Sequence, residues 1–250
     1  MDRIDEFEAK VQPLFDYNEY DEIIELCDAE LSACVGDSDN KYVANIYYNK
    51  GYAESDLEQH EEAIDDFTKA IELNPDFVWA YSNRGYSKNA LGLYKEAIDD
   101  FTKAIELKPD YANAYNNRAN AQTALGQHQK AIDDYTMAIE LAGENVYFYF
   151  NRGNAKYELE QYQEAIDDYT KAIELAPDYA DVYNNRGNAK CALGLYKEAI
   201  DDFTKAIELA PDYAEAYNNR CNAKNALGLY QEAIDDYTQA MLLSFPVDYD

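Results

Sequence analysis

The sequence predicts an all-α protein, a solenoid of stacked helical hairpins, and three observations carry that expectation. A segment reading AIDDFTKAIEL, or a near copy, recurs from Ala63, Ala97, Ala131, Ala165, Ala199 and Ala233 at a constant spacing of 34 residues. Gly or Pro interrupts the period at fixed places, as in Leu-Gly-Leu-Tyr at 91–94 and Lys-Pro-Asp-Tyr at 108–111. Glycine ends a helix by turning left-handed and proline by lacking an N–H. The two segments between interruptions are each roughly 13 residues, too short for a stable isolated helix in water, so stacking is obligatory.

Six repeats follow, 44–77, 78–111, 112–145, 146–179, 180–213 and 214–247. Positions are numbered 1 to 34 within each, from Ala44. In the second repeat Tyr81, Gly85, Ala97, Phe101, Ala104 and Pro109 stand at the offsets of an aromatic, Gly, Ala, Phe, Ala and Pro pattern. That pattern resembles the signature of the tetratricopeptide repeat family, over the whole span 44–247. Gly85 and Ala97 let paired helices approach closely, while Tyr81, Leu91, Phe101, Ala104 and Ile105 are expected to fill the space between them. The resemblance implies a right-handed α-α superhelix whose first helices line a concave groove that holds another protein.

Residues 1–43 lack the pattern. Tyr20-Asp-Glu-Ile-Ile-Glu-Leu-Cys27 reads as a worn second helix, and Ile4, Phe7, Val11 and Leu14 have the spacing of its first helix. This region is expected to be a degenerate hairpin that caps the stack, joined by the polar loop 36–40. At the other end no polar helix follows the last repeat, leaving Met241, Leu242, Leu243 and Phe245 without evident cover. Weak self-association through that end is the expectation, opposed by the charge of the chain.

At about 100° per residue, positions 2, 5, 9, 12 and 13 of each first helix share one side, with position 6 at its edge. Under the resemblance this side is the groove. It carries Asn49, Asn83, Asn117, Asn151, Asn185 and Asn219 at position 6, and Asn120, Asn154, Asn188 and Asn222 at position 9. A primary amide offers a donor and an acceptor together, the pair that an extended peptide backbone also presents. The row resembles the asparagine ladder in the superhelix of O-linked N-acetylglucosamine transferases, whose catalytic domain has no counterpart in this sequence. Tyr48, Tyr52, Trp79, Tyr86, Tyr147, Phe150 and Tyr157 interrupt the ladder irregularly. A regular scaffold has no need of them, which makes them candidate anchors for a partner.

The basic residues lie elsewhere. Arg84, Arg118, Arg152, Arg186 and Arg220 at position 7, with Lys88, Lys156, Lys190 and Lys224 at position 11, fall on the side away from the groove. Asp66, Asp100, Asp134, Asp168, Asp202 and Asp236 at position 23 are the expected partners. Some members of the family hold a terminal carboxylate with lysines at positions 2 and 5, and neither position carries Lys or Arg in any repeat. That mode of binding is not expected.

The chain has 50 acidic and 21 basic residues, a net charge of −29 and a pI near 4.2. Such a charge disfavours nucleic acid and anionic lipid. No apolar run is long enough to span a membrane, and charges occupy the start where a signal peptide needs apolar residues. A cytoplasmic protein is expected, although export by a dedicated secretion system would leave no mark in the sequence. Cys27, Cys34, Cys191 and Cys221 form no CxxC or metal-spaced pattern, and His60 and His128 replace tyrosine at position 17. No phosphate loop, nucleophile elbow or zinc motif occurs. No enzyme, cofactor or metal is expected. The leading function is a scaffold or adaptor that grips a segment of a partner protein in the groove. The alternative is an acidic inhibitor, chaperone or immunity-like protein that captures a basic partner by charge through Glu62, Asp65, Glu72 and their copies.

Overall fold

The computed structural model describes residues 3–34 and 39–244. They form helices α1 (Arg3–Asp16), α2 (Tyr20–Ala33), α3 (Asn40–Asp56), α4 (His60–Leu73), α5 (Val78–Ala90), α6 (Tyr94–Leu107) and α7 (Ala112–Ala124). There follow α8 (His128–Ala142), α9 (Val146–Glu158), α10 (Tyr162–Leu175), α11 (Ala180–Ala192), α12 (Tyr196–Leu209), α13 (Ala214–Ala226) and α14 (Tyr230–Ser244). Among the described residues there is no strand. Two compact units divide the chain, 1–125 and 126–250, with the division falling in the turn between α7 and α8.

In the first unit, α1–α2, α3–α4 and α5–α6 are antiparallel hairpins, and α7 follows. Each tight turn needs one left-handed residue. Gly92 supplies it between α5 and α6 at φ +75°, whereas Asn18 and Glu58 adopt φ 57° and 61° in the first two hairpins. With Gly92 so placed, the Leu93 N–H reaches the Lys88 carbonyl at 2.9 Å and caps the last turn of α5. This geometry displaces Leu91 from the interior expected for it. It begins the turn and stands 40% exposed. The helices meet where glycine admits an aromatic ring, and a Cβ on Gly85 would lie 2.9 Å from Phe101.

Residues 3–34 are a helical hairpin whose buried Phe7, Val11, Ile23 and Cys27 pack with Tyr42 and Ile46 of α3. Burial pushes the Cys27 thiol up to about 12, so it remains protonated. All four cysteines are free thiols. Of the loop 36–40, residues 36–38 lie outside the described residues. Asp39 caps α3 by accepting from the Tyr42 N–H.

In the second unit, α8 precedes the hairpins α9–α10, α11–α12 and α13–α14. Their turns use Glu160, Gly194 and Gly228 at φ 59°, 75° and 76°. The ring at position 24 seals the first two of these hairpins, where Tyr169 and Phe203 are fully buried. In the last hairpin the corresponding Tyr237 is 53% exposed, and Ile234 and Met241 on the same helix face are also exposed. Phe245 and the residues after it lie outside the described residues.

A charged latch recurs with the repeat. Arg84 sets Nε and Nη2 on the two oxygens of Asp100, at 2.9 and 2.6 Å, and Lys88 joins the same carboxylate at 2.7 Å. Its Nη1 donates to Thr68 Oγ1 of the preceding hairpin at 3.0 Å. Arg152, Arg186 and Arg220 repeat the arrangement on Asp168, Asp202 and Asp236, with Thr136, Thr170 and Thr204. The position-23 aspartates are more deeply enclosed than the edge of a helix face suggests, and the planar fork satisfies both of their oxygens. The 112–145 repeat has Gln122 in place of the lysine, and the 44–77 hairpin departs further. Lys50 replaces arginine, pairing with Asp28 of α2 at 2.7 Å and lying 3.6 Å from Asp66, while Glu54 stands where lysine would be.

Candidate partner-binding groove

Neighbouring first helices touch one another within each unit, α1 with α3, α3 with α5 and α5 with α7, then α9 with α11 and α11 with α13. Positions 2, 5, 6 and 9 therefore form a face in each unit. The two faces differ in what they leave open.

In the first unit, Tyr52, Trp79 and Tyr86 are exposed, at 38%, 40% and 53%. Trp79 is held rather than loose, for its ring sits edge-on to Tyr111 at 4.8 Å and under the Lys108 ammonium at 4.6 Å. Tyr48 is turned inward. It stacks on Phe77 at 4.8 Å, and its hydroxyl accepts from the Asn83 amide at 3.1 Å. Burial raises its phenol well above the ordinary value, so it serves as a neutral hydrogen-bonding group. Asn49 is also buried, donating to the Asn45 carbonyl at 2.8 Å within its own helix. Asn117 accepts from Asn116 at 3.1 Å. Asn120 is half-buried on α7.

Beside these side chains lies a cavity of 520 Å³, lined by Glu8, Val11, Gln12 and Phe15 of α1, by Asn18 and Tyr20, and by Asn45, Tyr48, Asn49, Tyr52 and Asp56 of α3. A second cavity of 270 Å³ shares Tyr52 and Asp56 and runs on to Asn83 and Tyr86. The contribution of α1 goes beyond the cap expected of the first hairpin.

In the second unit the amides bond chiefly to one another. Asn185 donates to Asn154 at 3.0 Å, Asn219 donates to Asn184 at 3.0 Å, and Asn154 also accepts from the Tyr169 hydroxyl at 2.8 Å. Asn151 and Asn188 are half-buried, and Asn222 is exposed. Phe150 packs on Tyr179 at 5.3 Å and Tyr157 on Tyr162 at 5.3 Å, while Tyr147 stands open. Amides that link adjacent helices fix the spacing of the face, which is a structural task in its own right. Arg152 and its equivalents face the second helices, away from this surface, as the latch geometry requires.

The tetratricopeptide repeat model matches residues 44–77, 78–111, 112–145 and 180–213, and a related TPR repeat model matches 153–194. The chain belongs to the tetratricopeptide repeat family. It is an all-α helical repeat solenoid. Among solved structures it resembles MamA, at 25% identity and a TM-score of 0.62, with 64% of this chain and 94% of MamA covered. It also resembles YrrB, described as a TPR protein with an unusual peptide-binding site, at 24% identity and a TM-score of 0.66 over 76% of this chain and 96% of YrrB. A tetratricopeptide repeat protein from Parabacteroides merdae matches at 18% identity and a TM-score of 0.69, covering 98% and 94% of the two chains. No curated protein matches the sequence at the level that marks a relative. No helix among the described residues is long and apolar enough to cross a membrane.

Proposed function

We propose that this tetratricopeptide repeat chain is a scaffold or adaptor that holds an extended segment of a partner protein on the first-helix face of the first unit. The observation that carries the reading is the exposure of Tyr52, Trp79 and Tyr86 beside the two cavities that Tyr52 and Asp56 share. Large aromatic side chains held in place at a concave surface lose little freedom on binding, which is why they anchor interfaces. The asparagines play two parts. Amides already engaged with neighbouring helices set the spacing, and the more open ones, with Asn222 the most exposed, meet the partner backbone.

The same reading makes the chain a cytoplasmic protein that binds proteins and not nucleic acid or membranes, in keeping with its net charge of −29. Weak self-association occurs through α14. The test is selection of a random peptide library on the intact chain, followed by Trp79→Ala with Tyr86→Ala. The selected peptides are expected to bind this variant about 2 kcal/mol more weakly with helicity intact. Unchanged affinity overturns the reading.

A further inference from the structure

The cavity of 520 Å³ has a chemical character of its own. Phe15 meets Tyr52 edge-on at 5.2 Å and Tyr20 at 6.4 Å, and Tyr48 lies 6.4 Å from Tyr52, so aromatic rings wall it from three helices. Two carboxylates, Glu8 and Asp56, are its charged lining residues, and no lysine, arginine or histidine lines it. Asn45 donates to one oxygen of Glu8 at 3.1 Å and orients it. The hydrogen-bonding reach of Asp56 holds the Tyr20 hydroxyl above its ordinary pKa, and burial followed by the charge of Asp56 does the same for Tyr52.

Aromatic faces combined with carboxylates and unrelieved by any local cation select a flat, weakly hydrated cation on an apolar stem. We infer that this cavity receives the arginine side chain of the segment bound in the groove. The inference rests on the groove reading and names the partner's chemistry. A guanidinium stacks on a tyrosine or phenylalanine ring while its N–H groups donate to Glu8 and Asp56, and its methylene stem lies along Val11 and Phe15. Charge complementarity with a chain of net charge −29 draws such a segment in, and the aromatic lining distinguishes arginine from other polar residues.

Peptides selected from the random library on the intact chain are resynthesised with citrulline, the uncharged isostere, in place of each arginine. The selected peptides are expected to share an arginine whose replacement weakens binding about tenfold. Glu8→Gln with Asp56→Asn is expected to erase the preference for arginine over citrulline while leaving the thermal midpoint unchanged. Selected peptides that lack a common arginine, or a preference that survives the double variant, overturn the arginine pocket and leave groove binding standing. Recovery of no peptide overturns both.

Discussion

Arg152 grips the Asp168 carboxylate of its own hairpin through Nε and Nη2 at 2.9 and 2.7 Å, and its Nη1 donates to Thr136 of the preceding hairpin at 3.0 Å. One guanidinium thus ties three helices. Arg152→Ala leaves a buried aspartate with Lys156 as its remaining cation and removes the inter-hairpin bond. Loss of one partner of a buried pair costs about 3–5 kcal/mol. A drop of that order in the denaturant-derived stability is expected, with peptide affinity unchanged. Loss of binding at full stability would place the latch in the interface instead.

Glu54 makes the stability of the first repeat depend on pH. Burial, reinforced by the negative charge of Asp66 and opposed by Lys50, pushes its carboxyl up to about 7, and Glu62 adds to the rise. A raised carboxylate pKa means that the folded chain holds a proton that the unfolded chain releases. This contribution is present below about pH 4.5 and is lost as pH rises through about 7. Glu54→Gln is expected to flatten the stability profile across that window and to stabilise the chain by roughly 1–3 kcal/mol at pH 8. Urea unfolding at pH 5 and pH 8 makes the comparison. Equal gains at both values would rule the titration out.

Gly187 tests how closely the helices approach. A Cβ there lies 2.6 Å from Phe203 Cε1, and Phe203 is fully buried. Gly187→Ala must displace the ring, at a cost of about 1–3 kcal/mol. The last hairpin already carries Cys221 at this position, opposite the half-exposed Tyr237, so Cys221→Ala is expected to change stability little. Thermal unfolding of the two variants separates a steric cost from a general intolerance of substitution.

The open face of α14 repeats Ile234, Tyr237 and Met241 at helical spacing. Further up the unit the equivalent ring, Phe203, is covered by a following hairpin of the same repeat type. A second copy brings an identical apolar stripe, and a two-fold axis matches the stripe to itself. Added salt screens the repulsion between chains of charge −29, so light scattering is expected to show growing dimer at higher ionic strength. Ile234→Glu with Met241→Glu should hold the chain monomeric. A monomer throughout the salt series with the native sequence excludes the contact.

The period of 34 made the hairpins and the pairing of Arg84 with Asp100 legible, because both ends of that pair recur in phase. Thr68 is not legible in the same way, although it lies as far before Arg84 as Asp100 lies after it. A threonine hydroxyl carries no charge to mark it as a partner, and its own donor goes to the Ile64 carbonyl at 2.7 Å. The helical wheel placed Tyr48 and Phe150 on the groove side but could not show that Phe77 and Tyr179, at position 34, lie over them. The α1 wall of the large cavity was illegible for another reason. Residues 1–43 have no repeat register, so nothing in the sequence placed Phe15 opposite Tyr52.

The reach of each latch, one period element forward and one back, bears on how such an array changes length. Within 78–247, a duplication or deletion of 34 consecutive residues copies or removes one latch arginine, one latch aspartate and one latch threonine together. An inserted unit therefore arrives with a hydroxyl for its successor's guanidinium and a guanidinium for its predecessor's hydroxyl. Recombination within the array preserves electrostatic closure without any compensating substitution. That freedom stops at the amino-terminal hairpin, where Asp28 takes the place of the hydroxyl and Lys50 that of the arginine. A unit inserted between α2 and α3 would leave Lys50 without Asp28, so growth is confined to the repeats beyond that junction.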